Sequence, residues 1–380
     1  MKNEIVYFVC SSNKESSSFK RVVGNSELIT DVLNKQCEII DFGFSYINKK
    51  RVYNIFPKII KKINVRLFCK HRVKKFLKTN QPTHIFTVFL GISTMKWLKK
   101  YCKKAKIFLI CDFCEWVIKD QFKLRGLSYG YIKNNFAITK WVDKESNVIA
   151  ISSYLNNYFS KEKGANSVCI PNLISFQNFK YKSVNISDNK LKLIFLGNST
   201  RKDFSDKIID AFYELPNAIK EKIHIYMLGI NPKKRVNSKI NIKKLKELKE
   251  KDNITILRHV PYQEVLRIYD NTQFSIFFYN AEDRNAKALF PTKLLDAFIN
   301  SRPVICNLAT DIGLYAKDNY NSLIAKDSSI KSIKNILIKA SKLNGEEKYQ
   351  LSINAFESAR MFDVNNFKSE FSLFLKQLRR

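Results

Sequence analysis

The chain has 380 residues, 45% of them hydrophobic, which suits about two packed domains and is too apolar for a disordered protein. Its 67 Lys+Arg against 34 Asp+Glu give a formal charge of +33, so an acidic partner is expected: nucleic acid, an anionic membrane surface or a phosphorylated ligand. No apolar run reaches the roughly 18–20 residues of a membrane-spanning helix, and the opening MKNEIVYFVC has too short an apolar core for a signal peptide.

Taken in chain order, short β-rich runs alternate with amphipathic segments. The first half predicts strands at Glu4–Cys10, Cys37–Asp41, His84–Phe89, Lys106–Cys111, Asn147–Ile151 and Ser167–Ile170. The second half predicts strands at Lys192–Gly197, Ile223–Leu228, Ile254–Leu257, Phe274–Phe278, Val304–Cys306 and Ser322–Ala325. Helical patterns fall between them. In Asp206–Leu215, Ile208, Ile209, Phe212 and Leu215 recur at helical spacing. This alternation implies an α/β protein with parallel sheets covered by helices. The alternation pauses only at 175–190, a polar stretch without either periodicity, which reads as a linker. The expected plan is a domain at 1–174, the linker, a second domain at 191–360 and a C-terminal helix at 361–380 returning to the first domain. Two doubly wound domains would face a cleft, with ligands at the carboxyl ends of the strands.

The eight cysteines are scattered, which reads as reduced cytosolic thiols. Cys111 and Cys114 form a close pair, but no second pair completes a four-ligand zinc set. The pair reads as a buried strand end. His84 and His224 read as core residues at strand ends.

From Lys49 to Lys106 there are 18 Lys/Arg and no Asp or Glu. Two helical patterns lie there, Lys58–Phe68 and Lys96–Lys104, each interleaving apolar or aromatic residues with lysines. A basic amphipathic helix with an aromatic fits an anionic membrane surface. A solvated face is the plainer reading, and nucleic acid is a third, without any accompanying RNA-binding motif.

The segment from Ile254 to Asn307 carries the chemistry. A polar loop, Tyr279–Leu289, leaves a strand, and Pro291 suits the first turn of the helix that follows. Leu294, Leu295, Phe298 and Ile299 form the buried face of that helix. Its N-terminus presents a positive dipole end suited to phosphate, Lys293 adds a cation, and Asp296 is placed one turn in to accept from a sugar hydroxyl. A solvated i, i+3 pair of Lys293 with Asp296 is the alternative.

This segment resembles the donor-binding stretch of GT-B glycosyltransferases of the family 4 type (glycosyl transferases group 1). Pro291, Thr292, Lys293, Leu294, Pro303, Val304 and Ile305 match its pattern. Asp296 stands where the family has a ribose-binding Glu, and Ser301 where it has Gly. The family pairs that Glu with an acid eight residues earlier, which here is Ala288. Glu282 and Asp283 are the nearby acids of the loop. Leu193–Asn198, followed by Arg201 and Lys202, resembles the first strand and diphosphate loop of the donor domain, with Gly197 at its turn. A surface role is the other reading of those two cations. Val148–Ser153, Val168–Asn172 and Asn354–Phe362 resemble further family segments.

The resemblance implies a retaining glycosyltransferase of two Rossmann-like domains. It would move a sugar from a nucleotide-sugar donor to a lipid-diphosphate-linked glycan in surface polysaccharide synthesis (capsule, O-antigen). It would work at the inner face of the cytoplasmic membrane, through the basic 49–106 stretch. The implied donor-site residues are Gly197, Arg201, Lys202, Thr292, Lys293 and Asp296. Asp112, Glu282 and Asp283 are the candidates nearer the chemistry. For Asp112, following a strand, a helix N-cap is the alternative. No cofactor and no metal are expected, since no Asp-x-Asp motif is present and cations would stabilise the leaving diphosphate. The competing readings are an inactive GT-B-shaped partner, motivated by Ala288, and a nucleic-acid-binding protein.

Overall fold

A computed structural model describes residues 4–10, 17–42, 69–122, 124–184, 190–197, 204–230, 242–258, 260–309 and 311–380. Arg201, Lys202 and the 58–68 pattern lie outside the described residues. The chain divides into two compact units. The first comprises Met1–Ser175, Ala288–Phe290 and Phe362–Arg380; the second comprises Phe176–Lys287 and Pro291–Met361.

The sheet of the first unit contains β1 (Ile5–Val9), β2 (Cys37–Asp41), β3 (His84–Val88), β4 (Phe108–Phe113), β5 (Asn147–Ala150) and β6 (Asn166–Cys169). They pair in parallel in the order β2-β1-β3-β4-β5-β6. All five residues of β1 are buried, as expected of a parallel strand covered on both faces. The helix Ser17–Leu33 and the C-terminal helix Lys368–Lys376 contribute Val22, Leu28, Ile29, Phe371 and Phe374 to one core with β1, Phe86 and Ile149. The helix Ile92–Ala105 buries Thr94, Met95, Leu98 and Cys102, leaving its lysines outside that stripe.

The second sheet contains β7 (Leu191–Leu196), β8 (Ile223–Leu228), β9 (Ile254–Leu257), β10 (Phe274–Ile276), β11 (Val304–Asn307) and β12 (Ser322–Ala325). They run parallel in the order β12-β11-β10-β7-β8-β9. Each sheet therefore reverses its winding once, between β1 and β3 in the first unit and between β7 and β10 in the second. At such a switch point the flanking loops part and leave a crevice at the carboxyl ends of the strands.

Two expectations need correcting. β4 is displaced from Lys106–Cys111 to Phe108–Phe113, because Lys106 takes a left-handed backbone (φ 57°) that ends the preceding helix. Asp112 therefore lies inside a strand rather than after one. The polar stretch after Ser175 is also not a bare linker where described. Phe176 packs against Phe356 with ring centres 5.0 Å apart and planes tilted by 43°, and the Lys182 N–H donates to Ser301 Oγ at 2.8 Å. The Arg302 guanidinium, fully buried, donates to the carbonyls of Lys182 and Ser183. Buried aromatic area and satisfied carbonyls hold residues 176–184 on the second unit.

Ser301 explains its own departure from glycine. It sits at φ 58°, where an L side chain is strained. Its Oγ accepts from Lys182 N–H, and its carbonyl accepts from Ser352 Oγ at 2.6 Å. Those bonds offset a strain of about 1–2 kcal/mol.

Candidate functional site

In the second unit, β7 and β8 both end in glycine. Gly197 follows β7 and donates its N–H to Leu228 O at 3.1 Å; Gly229 follows β8 and donates to Leu257 O at 2.8 Å. Gly229 has φ 82°, and a Cβ there would lie 2.0 Å from the Gly197 carbonyl oxygen. The two strand ends can approach this closely only because Gly229 carries no side chain. Gly197 was expected at the site. Gly229 was not, although a glycine directly after a strand in a chain with 10 glycines was a signal within reach.

Across the switch point stands the helix Thr292–Ile299. Pro291 occupies its cap position rather than its first turn, and no side chain caps the end. Leu294, Leu295, Ala297, Phe298 and Ile299 are buried, which aims the axis and leaves Thr292, Lys293 and Asp296 half-buried. The Lys293 ammonium sits 5.1 Å from the ring centre of Phe195 in β7 and 5.5 Å from that of Tyr279, just past β10. Two aromatic faces thus hold one cation over the carboxyl ends of the two strands that bound the switch point. Tyr279 is fixed in turn by Asn307 at the end of β11. Asn307 Oδ1 accepts from its N–H and Nδ2 donates to its carbonyl, both at 3.0 Å. Tyr279 and Asn307 lay within the segment read from sequence, but nothing there distinguished them from neighbouring polar residues.

Asp296 is one turn into the helix. The hydroxyl of fully buried Tyr269 is pushed well above its usual value, first by burial and then by the Asp296 carboxylate. Asp296 is therefore near enough to Tyr269 to act on it, and is itself half-buried. Cation, helix start and carboxylate thus follow one another along the crevice. This suits a diphosphate at the helix end and a polyhydroxyl group beside Asp296.

Glu282 and Asp283 lie in the turn before the short helix Arg284–Ala288. The Glu282 side chain is 88% exposed, with Lys287 Nζ at 3.7 Å, and the Asp283 carbonyl accepts from Lys287 N–H at 3.0 Å. Ala288 is fully buried and its carbonyl accepts from Ser152 Oγ at 3.1 Å. A carboxylate at position 288 would have to be buried in that packing.

The first unit holds a cavity of about 260 Å³ at its own switch point. It is lined by the ends of β1, β3 and β4 (Val9, Cys10, Val88, Phe89, Asp112 and Phe113), with Glu115 and Lys133 also on its wall. Asp112 lines it but is only 3% exposed. Arg21 Nη2 donates to its Oδ1 at 2.7 Å and Nε reaches both oxygens at 3.0 Å. Tyr7 Oη and Asn25 Nδ2 donate to its Oδ2 at 2.7 and 3.1 Å. Arg21 Nη1 also donates to the carbonyls of Ile170 and Pro171, inside the Val168–Asn172 segment. Burial lowers the pKa of Arg21, but Asp112, Cys114 and Tyr7 together offset this and keep the pKa raised. Asp112 is thus the anion of a buried ion pair that ties four segments together. It caps no helix.

His224 is buried between strands, with Nδ1 2.9 Å from Asp252 O and Nε2 2.9 Å from Thr255 Oγ1. Its neutral form is satisfied on both nitrogens, which suits a core residue.

Residues 176–358 match the family model described as Glycosyl transferases group 1. No curated protein sequence matches the chain. Among solved structures, it is similar to sucrose-phosphate synthase from Thermosynechococcus elongatus (TM-score 0.70, 12% identity, 98% of each chain covered). A glycosyltransferase from Rickettsia africae gives TM-score 0.66 at 12% identity, covering 99% of each chain. Anabaena HepE, in complex with UDP-glucose, gives TM-score 0.62 at 12% identity over 98% of this chain and 99% of that one. At such identities these likenesses establish the fold, GT-B.

Proposed function

From the premise that this chain is a GT-B glycosyltransferase with a glycosyl transferases group 1 domain at residues 176–358, we propose that it transfers a sugar, with retention, from a nucleoside-diphosphate sugar to a lipid-linked glycan in surface polysaccharide synthesis. The observation that carries the donor half of this reading is the Lys293 ammonium held over Phe195 and Tyr279 at the β7/β10 switch point. In this reading Lys293 and the start of the Thr292–Ile299 helix offset the charge that develops on the leaving diphosphate. Asp296 accepts from the ribose, Gly197 and Gly229 let backbone approach the phosphates, and Thr292 lies beside them. Arg201 and Lys202 add further cations. Glu282 and Asp283 serve the donor sugar. HepE in complex with UDP-glucose makes a uridine nucleotide the first donor to try.

The reaction needs no metal in this account, because protein cations and a helix end meet the diphosphate charge. The acceptor enters the cavity of the first unit, whose floor is shaped by the Arg21–Asp112 pair. The basic residues between 49 and 106 hold the protein at an anionic membrane face. Among the described residues no helix is long and apolar enough to cross a membrane.

The test is release of nucleoside diphosphate when the protein is given a nucleotide-sugar panel with bacterial lipid extract, repeated in EDTA. One sugar nucleotide should be consumed only when the lipid fraction is present, at the same rate in EDTA, and the anomeric proton of the product should report retention. Consumption that EDTA abolishes rules out metal independence. Inversion at the anomeric carbon rules out the retaining mechanism.

A further inference from the structure

The first unit displays an apolar knuckle that its own core does not use. Two single turns, Lys119–Gln121 and Arg125–Leu127, precede the helix Tyr129–Phe136. They leave Leu124 69%, Leu127 82%, Tyr129 41% and Ile132 44% exposed. Isolated exposed apolar residues are ordinary, but four large ones within nine positions mark a contact surface. The knuckle is built, not frayed. Arg125 N–H donates to Phe122 O and Leu127 N–H to Leu124 O, both at 3.0 Å, and Ile132 N–H donates to Ser128 O at 2.9 Å. The Phe122 ring lies so close over Gly130 that a Cβ there would come within 2.7 Å of it.

The surroundings are basic. Lys119 and Arg125 are exposed within the knuckle itself. Lys96 of the helix Ile92–Ala105 lies 5.0 Å from the Phe136 ring, so the lysine-bearing helix runs beside the knuckle helix. Lys74, on the helix at 69–79, lies 5.3 Å from the Trp97 ring and joins a second basic helix to the first. Residues 69–106 contain 11 Lys/Arg and no Asp or Glu. Nucleic acid would use the charge and leave the aliphatic side chains without a role. Lys99 and Lys103 already pair with Asp143 and Glu145, but an apolar protein partner would use the leucines and leave the exposed Lys96, Lys100 and Lys104 without a role. An anionic bilayer answers both, with acyl chains for the knuckle and head groups for the lysines.

We propose that the first unit docks on an anionic lipid bilayer by inserting Leu124, Leu127, Tyr129 and Ile132, with the lysines of the two neighbouring helices against the head groups. This deepens the membrane-surface reading above and rests on it. The test is co-sedimentation of the full chain with vesicles of phosphatidylglycerol and phosphatidylcholine in equal parts, against phosphatidylcholine alone. The wild-type chain should sediment only with the anionic vesicles. Leu124→Ser with Leu127→Ser should weaken that binding about tenfold or more, while thermal midpoint and nucleotide-induced stabilisation stay unchanged. L127W should blue-shift its emission on the same vesicles. A wild-type chain that does not sediment overturns the membrane reading and this assignment together. Sedimentation unaffected by the double substitution, with L127W emission unshifted, overturns the knuckle assignment alone. Loss of a dimer in the double variant would instead make the knuckle a self-association surface and overturn the proposal.

Discussion

Replacing Asp112 with Asn tests whether this residue supports the cavity or acts in it. The substitution keeps the shape and removes the charge. Arg21 and Asp112 are both about 1% exposed at their side chains and are joined at 2.7 Å, so the Arg21 guanidinium would be left buried without its anion. Removing one partner of a buried pair costs about 3–5 kcal/mol, far above the roughly 0–1 kcal/mol of a surface pair. An amide would also turn N–H groups toward donors from Arg21, Tyr7 or Asn25. For a domain of about 150–250 residues, each kcal/mol moves the midpoint by about 2–4 °C, so Asp112→Asn should lower the midpoint of the first unit by about 6–20 °C. The assay is scanning calorimetry with sugar transfer measured well below the midpoint. R21M with D112N should cost less than the sum of the two single changes. If D112N melted within a degree of wild type while losing transfer, Asp112 would be a group acting on the acceptor and the structural account would be wrong.

Three further outcomes follow. Gly229→Ala should cost at least about 2 kcal/mol and weaken nucleotide binding, because its Cβ would overlap the Gly197 carbonyl and its φ of 82° disfavours any L side chain; calorimetry of the apo protein and nucleotide titration check it. Ser301→Ala should destabilise by about 1–3 kcal/mol, since the strain stays and Lys182 N–H loses its acceptor, whereas Ser301→Gly should cost less; urea midpoints decide. Burial lowers the pKa of His224 below the usual 6.5, so below that value the unfolded chain binds more protons and stability falls as pH drops. The slope of midpoint against pH between about 7 and 5 should be shallower in His224→Gln.

The strands were legible because parallel strands covered on both faces read as apolar runs with polar ends. β2, β8, β9 and β12 fall where the runs predicted. β4 slipped by two residues because nothing local announces that Lys106 adopts a left-handed turn. The place of Lys293 and Asp296 in the first turns of a helix could be read from the sequence, since a proline and an apolar stripe fix where the helix starts and which side it buries. The aromatic seat of Lys293 could not, because Phe195 lies 98 positions away and meets it only through β7–β10 pairing. Asp112 illustrates the same limit: an acid after an apolar run reads as a site residue until Arg21, 91 positions earlier, is brought against it. Ser301 looked like a departure from glycine, and the acceptor role of its hydroxyl toward Lys182 appears only in three dimensions. The Leu124–Ile132 knuckle carries no periodicity and so gave no signal.

The most direct test of the donor site is a calorimetric titration of the wild-type chain and Asp296→Ala with UDP, GDP, dTDP and CMP and their common sugars. One nucleotide family should bind the wild type and, at about 100 times its Kd, stabilise it by about 2.7 kcal/mol. Asp296→Ala should stay folded and lose most of that affinity. Equal affinity in the two proteins, or no binding of any nucleotide to a folded wild type, would contradict the site assigned to the β7/β10 crevice.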